Sequence, residues 1–119
     1  MVLNVLDAIM EQKIKDLLKD VKTGLKKIYG NKLDRIILFG SYVREDYDNE
    51  SDLDVLVLVK DSHLEKYDDS ILDMIVELTG IYGIFVSIVA KSKTEYYLKR
   101  DTSPLFLNIE REGQEIYAV

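Results

Sequence analysis

The chain contains no cysteine, so it can form neither a disulfide nor a thiolate zinc site. Its one histidine, His63, lies in a polar stretch and reads as a surface residue. Nothing places it near Ser41, which removes a Ser-His-Asp arrangement there. No apolar run is long enough to cross a bilayer. Asp7 and Glu11 interrupt the N-terminal apolar residues, so no signal peptide is expected. There is no Gly-x4-Gly-Lys-Ser/Thr P-loop and no Gly-x-Gly-x-x-Gly turn. A cytoplasmic protein with no membrane association is expected.

What is present suits one small globular domain spanning residues 1–119. Apolar residues make up 47 % of the chain, enough for a core and too many for global disorder. At this length the core is modest, and a homo-oligomer or a partner would help to bury surface. The net charge of −6 is unevenly spread. Residues 1–35 hold eight Lys/Arg against five Asp/Glu, and residues 36–119 hold eight against seventeen. The acidic part argues against an extended nucleic-acid groove, which needs clustered cations to replace counterions. The basic first segment reads as a solvated helix face.

Hydrophobic spacing orders the elements. Met10, Ile14, Leu17, Val21, Leu25 and Ile28 recur at steps of three and four, which predicts a helix from Asn4, as cap, to Tyr29. Leu33–Phe39 predicts a buried strand, broken by Gly40-Ser41. Residues 41–51 are polar, with a turn at Asp48-Asn49. Asp52–Val59 predicts a second strand, apolar enough to be covered on both faces. A helix over Asp69–Tyr82 is expected to turn Ile71, Leu72, Ile75, Val76 and Leu78 inward. A third strand, Ile84–Ala90, follows. Ser92 with Glu95 forms a capping box for a helix to Lys99, and Ser103-Pro104 opens another to Glu112. Gln114–Ala118 closes as a short strand. The order implies an α/β (α+β) sandwich, one small mixed β-sheet flanked by helices.

The chemistry concentrates between the first two strands. Side chains two apart on a strand share a face, so Asp52 and Asp54 project together. Like charges that close need a cation between them, and Mg²⁺ suits two carboxylates plus substrate phosphates. Gly40 lets backbone approach a ligand, Ser41 offers a hydroxyl, and Arg44 can add a charge-assisted bond to phosphate. The acids at 46, 48, 50, 52 and 54 do not make an EF-hand, because a loop starting at Asp46 would need Gly at 51 and Glu at 57. The chain has Ser51 and Val57 there. Tyr96, Tyr97, Phe106 and Tyr117 read as packing against the sheet, with base stacking as the alternative. Lys91, Lys93, Lys99 and Arg100 form the one basic cluster after the motif and read as solvated.

Gly40-Ser41-x10-Asp52-Leu53-Asp54, with Arg44 in the spacer, resembles the signature of the nucleotidyltransferase superfamily typified by DNA polymerase beta. The short length resembles its minimal nucleotidyltransferase (MNT) branch, and the ending Ser103–Gly113 is similar to the tail of many such proteins. The resemblance implies Mg²⁺-dependent transfer of a nucleoside monophosphate, AMP from ATP, to an acceptor hydroxyl. It implies phosphate binding at Gly40, Ser41 and Arg44, and metal binding and catalysis at Asp52 and Asp54. MNT proteins often pair with an all-helical HEPN toxin, and some add AMP to a tyrosine of it. The family also uses a third carboxylate on a later strand. The matching strand here has no acid, and Ser87 lies nearest the expected place. Asp73 and Glu77 on the preceding helix are the possible substitutes. An alternative is a nucleotide-binding module that masks a helical partner.

Overall fold

A central pair of antiparallel strands organises the computed structural model, which describes residues 5–119 and the side chains from residue 11 onward. β1 (Leu33–Phe39) and β2 (Leu53–Val59) pair from Leu33↔Val59 to Phe39↔Asp54. β3 (Val86–Ser92) adds in parallel to β2, and β4 (Gln114–Ala118) adds antiparallel to β1, giving the order β3-β2-β1-β4. The mixed sheet expected from the element order is present. The parallel β2–β3 pair requires a crossover, which α3 (Asp68–Tyr82) supplies.

Helices cover both faces. α1 (Val5–Tyr29) and α3 lie on one face, where Leu17, Val21 and Leu25 are fully buried with Ile36, Val55 and Val57. Burying each such side chain contributes about 1.5–3 kcal/mol. The stripe predicted for this helix is therefore correct from Ile14 onward, whereas the Asn4 cap lies outside the described residues, as does the side chain of Met10. α4 (Lys93–Lys99) and α5 (Pro104–Glu112) cover the other face. There Tyr96, Phe106 and Ile109 bury against Ile37, Leu56 and Leu58. Tyr96 and Phe106 are thus core residues.

The helix starts follow their capping residues. Ser92 Oγ accepts the amide of Glu95 at 3.0 Å, and Ser103 Oγ accepts that of Phe106 at 3.3 Å. Only half of the predicted capping box forms, because Glu95 instead lies 3.9 Å from Lys91 and 3.5 Å from Lys99.

Two expectations need correction. Leu72 and Val76 are 58 % and 65 % exposed. α3 has more apolar residues than its contact face can hold, and Ile71, Met74, Ile75 and Leu78 occupy that face. β3 runs from Val86 to Ser92 rather than Ile84 to Ala90. Ile84 and Phe85 remain in the connection after Gly83, although Ile84 is buried and the Phe85 carbonyl accepts the Leu53 amide at 2.9 Å. Ahead of the Asp48-Asn49 turn, Ser41–Arg44 forms a single helical turn, α2. Among the described residues, no helix is long and apolar enough to cross a membrane.

Candidate active site

The Gly-Ser turn and the two aspartates meet where β1 ends and β2 begins. Register places Asp54 opposite Phe39, so Gly40 comes directly against the Asp54 side chain. A Cβ built on Gly40 would lie 2.4 Å from Asp54 Oδ2, closer than any real contact. Gly40 also has φ +83°, a conformation L-residues rarely adopt. Glycine is therefore required twice over: for the turn, and for the space that Asp54 fills.

α2 starts at this glycine. Gly40 carries no side chain to cap it, and its carbonyl accepts the amides of Val43 and Arg44 at 3.1 and 3.2 Å. The first amides of a helical turn lack intrahelical partners, so those of Ser41 and Tyr42 are left for a ligand. Tyr42 is buried, stacks on Tyr47 with ring centroids 4.5 Å apart, and reaches the Ser51 carbonyl. These contacts pin the connection from α2 to β2. The turn predicted at Asp48-Asn49 closes it: Asp48 Oδ1 accepts the Glu50 amide at 2.9 Å, and Ser51 Oγ accepts the Asp48 amide at 2.9 Å.

Asp52 is exposed just before β2, and Asp54 is half-buried one residue into it. Asp54 shares a sheet face with Leu56 and Leu58, the face that α4 and α5 cover farther along. Burial first, and the charge of Asp52 second, hold its carboxyl above the usual range, while Arg44 pulls the other way. Asp54 thus carries an electrostatic cost that Arg44 only partly offsets, and a hard divalent cation held by carboxylates and phosphate oxygens would relieve it. The two acids fit Mg²⁺ as a two-carboxylate set.

Among the described residues, no third acid completes that set. In the parallel register Ser87 stands beside Asp54, where the family resemblance leads one to expect an acid. Among the described residues, no three His, Cys, Asp or Glu side chains are grouped to hold a metal. Asp73 and Glu77 do not approach the pair. They are exposed on α3, whose buried residues pack on the opposite face of the sheet.

Arg44 is placed at the site but is already engaged. Its Nε donates to Asp46 at 3.2 Å and its Nη1 to Glu112 at 3.0 Å. Glu112 lies in the last turn of α5 and was not singled out by any motif; only the tertiary fold brings it within reach of a residue 68 positions earlier.

The other predicted groups lie elsewhere. His63 is exposed, with Nδ1 3.1 Å from Ser62 Oγ. In the basic cluster, Lys91 and Lys99 face Glu95, Lys93 lies 3.4 Å from buried Asp34, and Arg100 sits over the Tyr97 ring. A cleft of about 480 Å³ is lined by Ile14, Leu18, Leu38, Tyr42, Tyr47 and other residues, but not by Asp52 or Asp54. Leu38 belongs to the α1 side of the sheet, so this cleft opens on the face opposite Asp54. The carboxylates, rather than this cleft, mark the candidate site.

A nucleotidyltransferase domain model matches residues 18–113. "Putative protein adenylyltransferase MJ0141" of Methanocaldococcus jannaschii is 46 % identical over 81 residues, 68 % of this chain and 78 % of that protein. "Putative protein adenylyltransferase MJ0604" of the same organism is 33 % identical over 100 residues, covering 84 % and 94 %. Among solved structures, the spectinomycin adenyltransferase of Enterococcus faecialis, with ATP and spectinomycin, aligns with a TM-score of 0.68 at 19 % identity, over 87 % of this chain and 56 % of that one. A tri-AMPylated Shewanella oneidensis HEPN toxin in complex with MNT antitoxin gives 0.55 at 19 %, over 90 % and 73 %. At those identities the structural likeness speaks to the fold. Together with the sequence match across most of its length, it establishes that the chain belongs to the nucleotidyltransferase-domain family and is a nucleotidyltransferase.

Proposed function

We propose that the protein transfers AMP from ATP to a hydroxyl of a protein acceptor, a HEPN-type helical partner, in the cytoplasm and with Mg²⁺. The observation that carries the reading is the contact of Gly40 with Asp54, which joins the start of the α2 turn to a carboxylate pair. Similarity to proteins named adenylyltransferases supports the nucleotide, and likeness to a HEPN toxin complex supports the partner.

In this reading the amides of Ser41 and Tyr42 and the Ser41 hydroxyl hold the β- and γ-phosphates. Arg44 adds a cationic edge beside them. Asp52 and Asp54 would hold Mg²⁺, which neutralises charge on the attacking and leaving oxygens. The acceptor oxygen attacks the α-phosphorus, the bond to the bridging oxygen breaks, and pyrophosphate leaves with the electron pair. The acceptor's proton passes to solvent, because β3 presents Ser87 where a basic carboxylate would stand.

That same serine favours a second reading, in which the protein binds nucleotide and masks a helical partner with little turnover. One experiment separates the two. The protein is incubated with labelled ATP, Mg²⁺ and the product of the adjacent gene, beside an Asp52→Asn, Asp54→Asn double variant. Label on the partner that disappears with the variant supports transfer. Metal-dependent nucleotide binding without label supports the module. Absence of nucleotide binding overturns both.

A further inference from the structure

We propose that Glu112 is a positioning residue that holds Arg44 in its phosphate-binding orientation, so that the C-terminal helix sets nucleotide affinity. The proposal rests on the nucleotide site assigned above.

Arg44 ends a four-residue helix and is followed by Glu45 at φ +61°, so its own element gives it little support. Its guanidinium is fixed instead from two sides. Asp46 accepts from Nε at 3.2 Å, and Glu112 accepts from Nη1 at 3.0 Å. Nη2 takes no hydrogen bond or ion pair among the described residues and remains available to an anion. A planar guanidinium held at Nε and at Nη1 presents its remaining Nη2 hydrogens at a set angle, and less freedom is then lost when phosphate binds.

Glu112 is itself held. Asn108 Nδ2 donates to the same Oε1 at 3.2 Å, and Arg111 Nη2 donates to Asn108 Oδ1 at 2.7 Å. α5 is seated by Phe106 and Ile109, both almost fully buried. Its end lies tight on β1: a Cβ on Gly113 would come 2.5 Å from the Ile109 carbonyl oxygen and 2.7 Å from Ile37 Cγ2. Ile37 lies three residues before Gly40, so the strand that carries the turn also seats the helix that carries Glu112. The alternative role for Glu112, a third metal ligand, is not met by this arrangement, since it is not grouped with Asp52 and Asp54.

The test uses the full chain, a fluorescent non-hydrolysable ATP analogue and Mg²⁺. Glu112→Gln is expected to weaken analogue binding about tenfold, the scale of one charge-assisted hydrogen bond. Glu112→Asp should recover part of the loss. Arg44→Ala with Glu112→Gln should bind no more weakly than Arg44→Ala alone, because the two residues act as one unit. The Arg44 Nη–H NMR signals should be slowed in exchange in the unmodified protein and averaged by rotation and solvent exchange in Glu112→Gln, while Nε–H, held by Asp46, persists. A merely structural glutamate would lower the melting temperature and leave the two losses additive. Binding that ignores Asp52→Asn, Asp54→Asn overturns the site assignment and this inference with it. Binding that needs the aspartates but is unchanged in Glu112→Gln, or additive losses, overturns the positioning role alone.

Discussion

The two ends of β2 carry acids in opposite circumstances. At its start, Asp54 is half-buried beside Asp52 and its carboxyl is pushed up by burial and like charge. Just past its end, Asp61 is held well below the usual carboxylate range, first by Lys66 at 2.8 Å and then by the His63 amide at 2.9 Å. Tyr67 adds a third donor at 3.1 Å. One strand thus links an acid that the fold satisfies to an acid that it leaves wanting. The first is what folding alone favours; the second is what a site for a cation and a triphosphate needs.

Substitutions at the two ends should separate these roles. The largest effect is expected from Gly40→Val, which forces a side chain into Asp54 and into a positive φ. Transfer and nucleotide binding should fall by about a hundredfold or more, the scale of losing a preorganised electrostatic contact. Backbone strain of about 1–3 kcal/mol should lower stability as well. Labelled transfer and thermal melting check the two parts. Ser87→Asp comes next: a carboxylate beside Asp54 should raise transfer about tenfold, on the scale of added general-base help. It should also lower the melting temperature by adding a third negative charge. Unchanged transfer in a folded Ser87→Asp protein would show that the absent acid is not limiting.

Asp61→Asn should destabilise without touching the chemistry. Its folded-state pKa is depressed, so its contribution is present above the usual carboxylate range and is lost as pH falls through that range and below it. The melting difference from the unmodified protein should therefore be full at pH 7 and shrink in acid. Asp54→Asn should do the reverse, and by less. A raised folded-state pKa means that ionisation opposes folding, so the penalty is absent in acid and develops as pH rises through the raised value. The variant should melt slightly higher at pH 7, with the gap closing in acid. If Asp54→Asn lowers the melting temperature at neutral pH, the contrast between the two ends fails.

Much of this was readable from local pattern. The four strands and the long helices follow from apolar spacing, and Gly40, Asp52 and Asp54 follow from residue type at fixed separation. Leu72 and Val76 were misplaced because helical spacing shows which residues are apolar, not how wide the covering surface is. α3 packs chiefly against α1 and β3, on one side of the sheet. The start of β3 was misplaced because an apolar pair after a glycine looks alike as strand or as connection. Ser87 was legible because the family resemblance expects an acid on this strand, and the strand holds no acid, with Ser87 as its inner polar residue. Glu112 was not, because an acid in a last helical turn has no signature until the fold brings Arg44 to it.

The strand order has a consequence for how the molecule opens. The site is built on β1 and β2, the two strands with a neighbour on each side. An edge strand can detach while breaking one ladder; either central strand must break two. Amides of Ile36–Leu38 and Val55–Val57 should therefore exchange with deuterium last, and those of β4 earlier. Partial opening that releases β4 would free the end of α5 from β1 while leaving Gly40 against Asp54. The phosphate turn and its aspartates would then outlast the C-terminal helix, so such partly opened molecules would keep the metal pair and lose the arm that steadies Arg44.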